Sequence, residues 1–110
     1  MRMKMVSYWK DKKGESPTPF YDEEGELFLI YGYYDHKNQS GGTCPRNRRI
    51  GIYWRADFPS SRGYLSPCVI PEQTAMGLLH GLLFQLLTAG DTGRAAKVAQ
   101  AIRFMKGLEE

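Results

Sequence analysis

The hydrophobic period of this chain changes once, at Pro71. Before it, apolar residues alternate or run in short blocks, and after it they recur at three and four residue steps. Strands followed by helices, without alternation between the two, point away from a parallel α/β sheet. They leave an α+β fold, in which helices gather on one face of an antiparallel sheet.

Met3, Met5, Ser7 and Trp9 alternate with Lys4, Val6, Tyr8 and Lys10, the pattern of a first strand with unlike faces. The stretch DKKGESPTPFYDEEGE then predicts a long loop or irregular edge, because Pro17 and Pro19 cannot donate to a ladder. ELFLIYGYY is apolar and aromatic throughout, which suits a central strand covered on both faces. In NRRIGIYWR, Ile50, Ile52 and Trp54 share one face with Arg48 at its rim, while Arg49, Gly51, Tyr53 and Arg55 share the other. These two runs are expected to pair as a hairpin across the polar loop DHKNQSGGTCPR. YLSPCVI is a short strand that Pro67 confines to an edge or a bulge.

Pro71 suits a first helical position, and Glu72 complements the amino end of the dipole. Ala75, Met76, Leu79, Leu82, Leu83, Leu86 and Leu87 form an apolar stripe expected to face the sheet. Gly90 stops this helix, and Asp91 or Thr92 caps a last one with a seam of Ala95, Val98, Ala99, Ile102 and Met105. The predicted architecture is a single α+β domain over residues 1–110. In it, an antiparallel sheet of about three to four strands is followed by a C-terminal helical hairpin packed on one face.

Composition narrows function mainly by exclusion. Fifteen basic against twelve acidic residues leave a net charge of +3, compatible with nucleic acid but far below that of a DNA-coating protein. Two cysteines without a CxxC spacing, Cys44 and Cys68, suit reduced thiols rather than a disulfide scaffold. The amino end lacks the continuous apolar core of a signal peptide. The longest apolar stretch, near Leu78 to Leu87, is broken by His80, Gly81 and Gln85, so no membrane span and a cytoplasmic location are expected.

No catalytic signature competes with the segment CPRNRRIGIYWRADF, where arginines interleave with large aromatics. Arg46, Arg48, Arg49, Tyr53 and Arg55, joined by Arg62, are the candidate partner-binding residues, since Arg, Tyr and Trp dominate protein-interface hot spots. The same groups suit phosphates and bases. The structural alternative is a strand with a buried isoleucine face and a solvated arginine face.

The acidic turn Asp22 to Glu26 lacks calcium-loop spacing, and His36, Cys44, Cys68 and His80 are too scattered for zinc, so neither metal nor cofactor is expected. Cys68 with His80 is the only nucleophile and base pair to consider, without a third orienting residue. Ser60 to Gly63 has the hydroxyls to cradle a phosphate but not the lysine or strand-to-helix setting of a P-loop. Gly77 and Gly81 share a helix face with His80 alongside, and each glycine costs about 1 kcal/mol against alanine in a helix, which predicts a close approach by the last helix or by a second copy of the chain, with a cofactor a distant third.

Residues 58–83, FPSSRGYLSPCVIPEQTAMGLLHGLL, resemble the sheet-plus-helix segment of HicB-type antitoxins. The glycine-rich and acidic residues of that family's pattern are not matched, so the resemblance implies no activity or site. The expected function is a small non-enzymatic binding protein, an inhibitor or adaptor of the phage or mobile-element type, for example anti-CRISPR-like. It docks, as a monomer or homodimer, on a protein or nucleoprotein partner. Direct nucleic-acid binding by the basic sheet face is the alternative, and a small Cys/His enzyme the third.

Overall fold

Along the chain of this computed structural model, which describes residues 4–38, 47–55 and 57–108, seven strands precede two helices. They are β1 (Trp9–Lys10), β2 (Tyr21–Glu23), β3 (Leu27–Tyr34), β4 (Arg48–Trp54), β5 (Ser60–Ser61), β6 (Tyr64–Leu65) and β7 (Cys68–Ile70), then α1 (Glu72–Thr88) and α2 (Thr92–Met105). The class is α+β: an antiparallel sheet with two C-terminal helices packed against it.

The sheet is built on the β3–β4 hairpin, in register from Leu27 opposite Trp54 to Tyr33 opposite Arg48. β1 and β2 both pair with β3, at its opposite ends, and β7 pairs with β4, giving five strands. β5 and β6 form a separate ribbon. The extra strand relative to expectation is β2, hidden in the sequence by the prolines and acids around it. The first strand is shorter than its alternation predicts: only Trp9 and Lys10 enter the sheet, while Met5 makes a lone parallel bridge to Leu65.

Each face of the sheet carries its own core. On one face Leu29, Tyr33 and Ile50 pack under Ala75, Leu79 and Leu86 of α1 and Val98, Ala101 and Phe104 of α2. Phe104 is almost fully buried between Tyr31 and Tyr33, at ring separations of 4.6 and 5.3 Å, and such aromatic pairs add about 0.5–1.5 kcal/mol beyond burial. On the other face Trp9, Phe28, Ile30, Tyr53, Leu65 and Val6 form a second cluster, covered by the amino-terminal segment and β6. Gly51 lies beneath Trp9: a Cβ there would come within 2.7 Å of the indole, so only glycine lets the ring lie on the strand.

Pro71 sits at the N-cap of α1 rather than inside its first turn, because its ψ of 145° is still extended. Asp91 caps α2 as expected, accepting from the Arg94 amide. The stripe of α1 is narrower than its sequence suggests, since Leu87 is exposed along with Phe84. No helix among the described residues is long and apolar enough to cross a membrane.

Candidate functional site

The alternation read from β4 has the correct parity and the wrong surroundings. Ile50 and Ile52 face the helices, and Gly51 and Tyr53 face the opposite way, but that side is roofed rather than solvated. Tyr53 is 5% exposed and stacked on Phe28, with centroids 4.9 Å apart and planes 11° from parallel. Its expected place on an open surface is therefore corrected: its ring belongs to the second core. The roof comes from residues distant in sequence, which strand periodicity cannot reveal.

Arg48 is held inside the chain. Its guanidinium donates to the Phe104 carbonyl at 3.0 Å and lies over the Tyr33 and Phe104 rings. A cation at the last carbonyls of α2 complements the dipole and fastens that helix to the sheet. Arg49, half-buried, donates to the Arg48 carbonyl at 2.8 Å. Arg46 and Cys44 lie outside the described residues.

Arg55 and Arg62 do reach solvent, each from a tight turn. β4 ends at Trp54, whose amide donates to the Phe58 carbonyl at 2.8 Å while the Phe58 amide donates back at 3.0 Å. Within that turn Arg55 has φ of 55° and its amide donates to the Glu26 carbonyl at 3.0 Å. Its guanidinium pairs with the Glu26 carboxylate at 3.4 Å, both side chains being largely exposed. After Pro59, β5 and β6 are joined by Arg62 and Gly63 alone, with φ of 51° and 83°. Positive φ at both central residues is the signature of a type I′ hairpin, for which glycine is well suited and arginine is not. Ser60 to Gly63 is thus a hairpin turn and not a helix-coupled phosphate loop.

Three large side chains stand out beside these arginines: Trp54, Phe58 and Tyr64, 40%, 48% and 49% exposed. The sequence reading left out Phe58 and Tyr64, and placed Trp54 on the Ile50 and Ile52 face, either as core or as a ring that stacks on a base or fills a pocket. The signal that locates them is turn chemistry, the SRG hairpin in particular, rather than strand alternation. Arg62 and Tyr64 also border a cleft of about 370 Å³ against residues 5–8.

Gly77 and Gly81 are exposed, and a Cβ added at either meets nothing within 4 Å. The close approach by the last helix predicted there is not present; that face of α1 is open, with His80 and Phe84 exposed on it. Cys68 is a free, exposed thiol. Among the described residues no group of three or more His, Cys, Asp or Glu is placed to hold a metal ion.

No protein-family model, no curated protein and no solved structure matches the chain, and the resemblance of residues 58–83 to HicB-type antitoxins gains nothing from these comparisons.

Proposed function

We propose that the protein is a small non-enzymatic binding protein, an inhibitor or adaptor, that docks on a protein or nucleoprotein partner through its two consecutive turns. Trp54, Phe58 and Tyr64 supply the apolar contact, and Arg55 and Arg62 pair with acidic groups around it, the residue types that carry most energy at interfaces.

One observation carries this reading: two arginines sit in left-handed backbone on turns beside three exposed aromatics. The left-handed region costs a non-glycine residue about 1–2 kcal/mol, and neither guanidinium is engaged in a core. Strain retained at an exposed position is a pointer to use there. Trp54 and Phe58, both exposed and bridged backbone to backbone, point the same way.

The test is capture of partners from cell lysate on immobilised wild-type protein, with and without nuclease, beside a Phe58→Ala/Arg62→Ala/Tyr64→Ala variant of unchanged melting temperature. A protein retained after nuclease by the wild type and lost from the variant supports the proposal. Equal retention by both refutes it, and retention abolished by nuclease transfers the surface to direct nucleic-acid binding.

A further inference from the structure

We propose that the outer face of α1 is the contact of a homodimer, in which Phe84 of each copy packs over Gly77 and Gly81 of the other about a two-fold axis. Gly77, His80, Gly81, Phe84, Leu87 and Thr88 are all exposed, and helical spacing puts them on the side of α1 opposite the buried Ala75, Leu79 and Leu86. These residues are separate from those of the Trp54 to Tyr64 surface, so either proposal can fail alone.

Two independent features single out this face. Residues 73–90 contain no Asp, Glu, Lys or Arg, in a chain that is 25% charged, whereas the neighbouring α2 exposes Arg94, Lys97, Arg103 and Lys106 to water. A surface helix ordinarily turns charged residues outward, and one that is apolar all round is a helix that ends up buried. Phe84, 72% exposed, is also the most exposed large hydrophobic side chain among the described residues, and Leu87 follows it at 55%. Taking about 200 Å² for a complete aromatic side chain, Phe84 alone offers about 150 Å² to a partner.

The occupant that fits is a second α1. Beside the Phe84 knob the face carries a hole, because a Cβ at Gly77 or Gly81 meets nothing within 4 Å and another helix can come close to the backbone there. An isologous contact needs knob and hole on the same patch. An antiparallel pair of α1 helices meets that need, since Phe84 follows Gly81 and Gly77 on one face by about one and two turns. Neither copy brings a charged side chain to be stranded without water, and antiparallel helices oppose their dipoles. α1 spans 17 residues, about 25 Å, and one such face falls short of the about 1,200–2,000 Å² that stable complexes bury. The dimer is therefore of the weak, reversible class.

The experiment is sedimentation equilibrium of the full chain from micromolar to millimolar concentration, for the wild type, Phe84→Ala and Gly81→Leu. The wild type should dimerise reversibly, and each variant should raise the dissociation constant about 30-fold or more, as for an interface anchor. At concentrations where the wild type is monomeric neither variant should melt below it, because both positions are exposed. An equimolar mixture of the two variants should recover dimer. The Gly81→Leu copy keeps its Phe84 and the Phe84→Ala copy keeps the glycines that receive it, while at the second contact a leucine meets an alanine. A wild type that stays monomeric at millimolar concentration, a dimer indifferent to both variants, or a mixture no more dimeric than its components would each overturn the proposal. A monomeric wild type whose captured lysate protein is lost from Phe84→Ala would also overturn it, and would give the face to a different chain.

Discussion

Tyr53 and Phe28 lie face to face across the β3–β4 hairpin, and this pair closes the side of β4 on which the arginines alternate. Because Trp9, Val6 and Leu65 complete the same cluster, a partner cannot reach the flat of the strand. Within β4 only Trp54, where the strand ends, is exposed.

Tyr53 and Arg55, on one face by alternation, should therefore behave oppositely when replaced. Tyr53→Ala is expected to cost about 3 kcal/mol or more, as for other buried aromatics. Arg55→Ala, whose ion pair with Glu26 is exposed, should stay within about 0.5 kcal/mol of wild type. Urea denaturation of the two variants measures both.

The two tryptophans offer a spectroscopic contrast. Trp9 is 1% exposed and Trp54 40%, so acrylamide should quench only part of the emission. In Trp54→Phe the remaining fluorescence should be blue-shifted and almost unquenchable. A partner bound at the turns should protect the quenchable component of the wild type.

Glycine substitutions should separate two kinds of site. Gly77→Ala and Gly81→Ala meet open space and should each stabilise the fold by about 1 kcal/mol, the helix-propensity gain. Gly51→Ala places a methyl group against the Trp9 ring and should destabilise by about 1–3 kcal/mol. Thermal melts of the three variants test this. If the alanines on α1 lower affinity for a captured partner or disrupt a homodimer, that face is an interface.

The α2 cap gives a signed pH dependence. The Asp91 carboxylate accepts from the Arg94 side chain at 2.7 Å and from the Arg94 amide, which holds it below the ordinary value of 3.8. A carboxyl lowered on folding stabilises the native state fully above its unfolded value, and loses that contribution as pH falls through the folded one. Asp91→Asn should therefore melt below wild type at neutral pH, and the difference should shrink only on acidification below 3.8.

Much of the fold was legible because its signals are local. The 3.6 period of residues 75–87, the Asp91 cap and the parity of Ile50 and Ile52 each depend on neighbours within a few positions. The second core was not legible: whether the Gly51 and Tyr53 face is wet depends on Trp9 and Leu65, which approach it from either side in sequence. Arg48 illustrates the same limit, since its partner is a carbonyl 56 positions away. Exposure at the site follows from two left-handed turns, and of these only Arg62-Gly63 carries a sequence signature, through its glycine.

The Arg62 hairpin is also moored to the far end of the chain. The Val6 amide donates to the Leu65 carbonyl and the Leu65 amide to the Lys4 carbonyl, each at 2.8 Å. Any event that peels residues 4–6 away would unclasp the ribbon bearing Arg62 and Tyr64 and uncover the indole of Trp9 beneath it. Ordering of the amino-terminal segment and readiness of the hairpin are thus one thermodynamic event, so that a ligand gripping the hairpin in its native shape would tighten the opening residues as well.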